Sequence, residues 1–140
     1  MKLKVIGSIC VLLLVLIVFS CQSDDSIEFK RYYSDGSIVY QNHCQNCHGE
    51  KGEGLSSLIP PFTDTAYLKT NLASLSCKIN YGFTGKLVVS GKDFDGNMPA
   101  SGLTPIEIAQ ALTYVTNSFG NKLGVITVDE VNNDLNKCEN

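Results

Sequence analysis

Hydrophobic and polar positions divide the chain into an apolar leader, a polar stretch and a series of short periodic segments. Val5 to Phe19 is a nearly continuous apolar run, broken only by Gly7 and Ser8. Residues 21–34 are polar and charged and read as a flexible tether. Asp35 opens an apolar-periodic stretch in which Ile38, Val39 and Tyr40 lead towards Cys44, predicting a helix from about Gly36 to Gln45. Residues 49–66 hold Gly49, Gly52, Gly54 and the pair Pro60-Pro61, which break regular structure and predict an irregular loop. Leu68, Leu72, Leu75 and Ile79 then fall at helical spacing, and Gly82 marks the end of that helix. Two short runs, Lys86 to Val89 and Lys92 to Phe94, flank Ser90-Gly91 and predict a small β-hairpin near 86–94. Thr104-Pro105-Ile106-Glu107 combines an N-cap threonine, a proline at the first helical position and a capping-box glutamate, starting a helix to about Ser118. Thr127 and Glu130 repeat the capping-box spacing and start a final helix to about Lys137.

The leader is an address rather than a core segment. Lys2 and Lys4 precede an apolar run shorter than the roughly 20 residues a spanning helix needs, as in a secretory signal. Val18-Phe19-Ser20-Cys21 resembles a bacterial lipobox, in which the cysteine becomes lipidated and N-terminal. The expected organisation is therefore a lipoprotein signal peptide at 1–20, a tether at 21–34 and one domain at 35–140. An uncleaved anchor helix is the alternative. Both place the domain outside the cytoplasm on a membrane, periplasmic or at the cell surface.

Charge narrows the partners. The 140-residue chain carries 11 Lys and Arg against 14 Asp and Glu, without a basic run or stripe, which argues against nucleic acid. Loss of residues 1–20 takes Lys2 and Lys4 with it and leaves a net charge of −5, favouring a partner with a basic docking patch.

The chemistry is concentrated in few residues. The chain has 6 cysteines, 2 histidines and 2 methionines. Cys44-Gln45-Asn46-Cys47-His48 is a haem c attachment motif. Two thiols with two residues between them match the separation of the haem vinyl groups, and the next residue brings an imidazole under the iron. A zinc site would need two further ligands at usable spacing, and Cys77 and Cys138 stand alone. Met98, the single methionine beyond Met1, follows Gly96 and precedes Pro99 in a polar stretch fifty residues after His48. A loop methionine among polar residues is a poor core filler and a good sixth ligand. His43 is too close to Cys44 to reach the opposite haem face.

These motifs resemble the class I, mono-haem, c-type cytochrome family over about residues 35–121. The resemblance is carried by Cys44-x-x-Cys47-His48-Gly49, Pro60-Pro61-Phe62, Ile79-x-Tyr81-Gly82, Asp95-Gly96-Asn97-Met98-Pro99 and the segment Tyr114 to Asn121. It implies an all-α fold wrapped around one covalent haem, whose first and last helices cross with Gly36 and Tyr40 against Tyr114. It also implies that a proline carbonyl, of Pro60 or else Pro61, accepts the proximal imidazole proton. Phe62, Tyr67 and Phe119 are candidates to wall the haem or to serve as ordinary core aromatics. Residues 122–140 extend beyond the usual family end.

Four of the six cysteines then have places: Cys10 in the signal, Cys21 with lipid, Cys44 and Cys47 with haem. Cys77 and Cys138 remain, either as a disulfide or as two buried free thiols. A disulfide would contribute about 4 kcal/mol by loop entropy. The expected function is one-electron transfer in a bacterial respiratory chain, to or from an oxidase, reductase or periplasmic dehydrogenase, and not bond-making catalysis. The competing class is a haem-based gas sensor or weak peroxidase with a displaceable sixth ligand.

Overall fold

The computed structural model describes residues 24–138, together with helical positions at 5–7, 9 and 11–12. Cys21, Cys10 and most of the leader lie outside the described residues. Among the described residues no helix is long and apolar enough to cross a membrane.

The chain runs α1 (Asp24–His43), α2 (Gln45–His48), α3 (Thr65–Tyr81), β1 (Phe83–Val89), β2 (Lys92–Met98), α4 (Pro105–Val115) and α5 (Val128–Leu135). The architecture is mostly helical, but not purely α. The hairpin expected near 86–94 spans the whole of 83–98, pairing Phe83 with Met98 at its open end and Val89 with Lys92 at its turn. Ser90 and Gly91 both take positive φ (52° and 71°), the twist a two-residue hairpin turn requires.

The first helix begins earlier than the charge pattern suggests. Residues 24–34, expected as a tether, are helical and continuous with the rest of α1. Phe29, Tyr32 and Tyr33 continue its apolar face: Phe29 stacks on Tyr33 at 5.6 Å, Tyr33 packs on Tyr114 at 5.1 Å, and Tyr33 and Ser118 share a 3.0 Å hydroxyl hydrogen bond. Aromatic packing at one helical spacing outweighs the high charge density between those rings.

Helices α1 and α4 cross at Gly36. A Cβ there would run into the Gln110 carbonyl and press on Tyr114. Tyr40, 1% exposed, lies 5.3 Å from the Tyr114 ring one turn further on. Two apolar clusters share Leu75: one holds Leu103, Ile108, Leu112 and Val131, and the other Tyr40, Leu68 and Val115.

The caps hold the later elements in place. The Glu107 carboxylate accepts from Thr104 N at 2.8 Å, and that of Glu130 accepts from Thr127 N at 2.7 Å, closing the two expected capping boxes. Asp64 caps α3 by accepting from Tyr67 N at 2.9 Å, four residues before Leu68, the first position its apolar spacing marks. Its other oxygen accepts from Ser90 N (3.0 Å) and Ser90 Oγ (2.9 Å), so one carboxylate joins the start of α3 to the hairpin turn. Helix α4 stops at Val115 instead of Ser118, in turns that include Phe119 at positive φ. The C-terminal extension returns against α3 and α4. Val131 is fully buried, and a disulfide joins Cys77 to Cys138.

Candidate functional site

The break between α1 and α2 creates the reactive corner. Cys44 stays in the right-handed region but is stretched to φ −120°, and its carbonyl accepts from His48 N at 2.9 Å. This puts Cys44 half-buried, Cys47 exposed and His48 buried in a single turn. The Tyr40 hydroxyl donates to the Gly49 carbonyl at 2.6 Å, and Gly54 N donates to the His48 carbonyl at 2.8 Å, fixing the turn from both sides.

His48 Nδ1 lies 3.2 Å from the Pro60 carbonyl, not that of Pro61. With its proton on Nδ1 the neutral ring keeps a lone pair on Nε2, the form a metal accepts. Burial lowers the His48 pKa, against the opposing pull of the Pro60 carbonyl, and so favours the neutral ring. Phe62 stacks on the same imidazole, with centroids 4.2 Å apart and planes within 22°. Burial, and secondarily the neighbouring Cys47, pushes the Cys44 thiol up to about 11, so it stays protonated.

These groups open into one cavity of about 300 Å³. Cys44 lines it from the joint between α1 and α2, Cys47 and His48 from α2, Tyr67, Leu75 and Ile79 from α3, Phe83 and Leu87 from β1, and Met98 from β2; Leu112 and Val115 of α4 also face it. Met98 reaches it as the last strand residue, not from a loop, because the hairpin is longer than the sequence pattern implies. Gly82 makes that placement possible: at φ +82° it faces the Met98 carbonyl and the Pro99-Ala100 backbone, where a side chain would collide. Ser101 N donates to the Ile79 carbonyl at 3.0 Å and secures the segment after Met98.

Other expected wall residues divide. Phe62 and Tyr67 line the cavity; Phe119 does not, packing instead on Tyr40 at 5.4 Å and over Gly52. His43 lines the rim beside Cys44. Sequence reading passed over Lys78, the one Lys, Arg, Asp or Glu among the lining residues. Its ammonium bonds Ser74 Oγ at 2.9 Å and lies 5.4 Å from the Phe83 ring, and burial lowers its pKa.

The donor set fits haem c: two thiols at the rim, an imidazole with a free lone pair, a thioether, and apolar walls for a flat macrocycle. The family model for cytochrome c oxidase, cbb3-type, subunit III matches residues 33–115, more than half of the chain. The chain belongs to that family. It is a c-type cytochrome, a haem protein of electron transfer, and the matched span runs from Tyr33 in α1 through the attachment motif and hairpin to the end of α4. No curated protein matches this cytochrome.

Proposed function

We propose that this cytochrome is a one-electron carrier holding a single haem c through Cys44 and Cys47, with His48 and Met98 as its axial ligands. The observation that carries the reading is the convergence of all four side chains on one apolar cavity. Cys44 and Cys47 would hold the haem by addition of each thiol across one vinyl group, S–H giving S–C and C–H bonds with no external oxidant. Bound haem supplies an iron centre that takes up and releases one electron. His48 binds through Nε2 while Pro60 holds Nδ1, which strengthens the ligand and fixes its tautomer. Met98 supplies a soft sulfur that favours the ferrous state. The apolar walls would keep water from the iron, and Lys78, the one Lys, Arg, Asp or Glu of that lining, would be available as a cation to a haem carboxylate. With His48 and Met98 both on the iron no site would be left open for substrate, and the protein's work would be binding, orientation and tuning of potential.

The partner in this reading is a respiratory oxidase, reductase or periplasmic dehydrogenase with a basic docking patch, since the processed chain is acidic. Cys21 carries the lipid that holds the cytochrome on the outer face of a bacterial membrane. Cys21→Ser should release it in soluble form; retention on membranes with Met1 still present would show an uncleaved anchor instead. A reduced-minus-oxidised visible spectrum with carbon monoxide added to the reduced protein tests the core of the proposal. Low-spin haem c that ignores carbon monoxide supports it. Ready binding would transfer the protein to the sensor or peroxidase class.

A further inference from the structure

We propose that Phe62 is a positioning residue that sets the plane of the His48 imidazole; this rests on the reading of His48 as an iron ligand. A ligating imidazole retains one soft torsion. The Pro60 carbonyl restrains it at a single point, 3.2 Å from Nδ1, at the long end of good N–H···O geometry. A single hydrogen bond leaves the ring free to pivot about that contact. The Phe62 face removes this freedom, because at 4.2 Å between centroids a pivoting imidazole edge would be driven into it.

Phe62 can act this way because it is itself held. Its N–H donates to the Gly52 carbonyl at 2.7 Å, and its carbonyl accepts from Asn121 Nδ2 at 2.7 Å. Asn121 is 2% exposed and also donates to the Val115 carbonyl at 3.2 Å, so the end of α4 supports the same peptide. The Phe62 ring also meets Tyr40 edge-on, at 6.3 Å and 64°. Tyr40 bonds the carbonyl of Gly49, the residue after His48. His48, Phe62, Tyr40 and Gly49 therefore form a closed circuit, and the imidazole cannot turn without displacing the half-buried Phe62 ring against the buried Tyr40. A fixed imidazole plane selects which iron d orbital overlaps the ligand and keeps geometry constant between oxidation states, the condition for fast electron transfer.

The test uses ferric holoprotein, with paramagnetic resonance and the shifted haem-methyl proton resonances as readouts. Wild type and Phe62→Tyr should each show one narrow low-spin species with the same methyl pattern. Phe62→Leu keeps an apolar side chain but loses the stack, and should shift and broaden that pattern. Phe29→Leu removes an aromatic stack on Tyr33 in α1, away from Phe62 and the groups that hold it, and should leave the pattern unchanged. Coincidence of Phe62→Leu with wild type overturns the proposal, as does an equal change in Phe29→Leu. Should Phe62→Leu fail to accumulate, the ferrous wild type decides: ring-proton contacts between Phe62 and His48 support the clamp, and their absence overturns it. A wild type without low-spin iron overturns the ligand assignment itself and is distinguishable from failure of the clamp alone.

Discussion

A thioether binds iron weakly and selectively, so its value depends on being delivered to the right place. Met98 is half-buried at the end of β2, opposite Phe83, with Gly82 admitting the backbone that follows. Met98→Ala should leave the fold and the thioether bonds intact while removing the sixth ligand proposed above, whose sulfur would favour ferrous iron. The potential should fall on the order of 0.1–0.3 V, inside the roughly 0.8 V range that axial ligands command. The reduced protein should also begin to bind carbon monoxide. Voltammetry and a carbon monoxide difference spectrum check both, and an unchanged potential would sink the assignment. At this scale the sequence is most informative for residues whose chemistry is local. Cys44, Cys47 and His48 declare themselves by covalent spacing, and Met98 by scarcity. Lys78 and Asn121 do not, because their places depend on neighbours far along the chain: Lys78 faces Phe83 of the hairpin, and Asn121 reaches Phe62 across 59 residues.

Elements position the site through close contacts that invite substitution tests. At Gly36, alanine would improve helix propensity by about 1 kcal/mol. It would also force the α1–α4 crossing apart against the Gln110 backbone, and overpacking costs about 1–3 kcal/mol, more where backbone must move. The second effect should win, and Gly36→Ala should lower the melting temperature of the holoprotein; a neutral or raised value would show that the crossing can relax. Asp64 offers a pH test. Its pKa is lowered, first by the Tyr67 N–H and then by the Ser90 hydroxyl. A depressed carboxylate contributes stability that is present above its unfolded pKa and lost as pH falls through its folded one. Amide protection at Ser90 should therefore decline below the usual carboxylate range, near pH 4. Asp64→Asn should flatten that dependence, and equal acid sensitivity in both proteins would place the latch elsewhere. The capping boxes at Thr104 and Thr127 were readable because both partners lie within four residues. The Asp64 latch and the full length of the hairpin were not. Lys92–Met98 turns Phe94, Gly96 and Met98 inward between exposed Asp93, Asp95 and Asn97, but Gly96 interrupts that face and Asp, Asn and Gly are poor strand formers, so pairing with β1 and not propensity holds it. The start of α1 escaped for a related reason, its three aromatics being diluted among charges until α4 gave them a surface.

Across the whole molecule, shape and charge act at different ranges. The disulfide and α5 fasten the C-terminal extension to α3, the helix that precedes the Met98 hairpin, so the segment beyond the matched family span braces the ligand-bearing side. Charge acts outside that frame. The chain carries 14 acidic against 11 basic side chains, and removal of the leader with Lys2 and Lys4 would deepen the imbalance to −5. A field of this sign draws cationic reactants inward and repels anionic ones, over a distance that shrinks to about 8 Å at physiological ionic strength. The rate of oxidation by a cationic complex such as hexaammineruthenium(III) should therefore fall as salt rises from about 10 mM to 1 M. Oxidation by ferricyanide, an anion, should accelerate over the same range. Stopped-flow traces at fixed pH read both directly. That pair of slopes identifies net charge as the steering term and points to a basic docking face on the physiological partner. The reverse pair, the cation's rate rising with salt and ferricyanide's falling, would mean that electrons leave through a locally positive patch, for which Lys78 at the cavity and Lys86 and Lys92 on the hairpin are sources, and the partner's face would then be acidic.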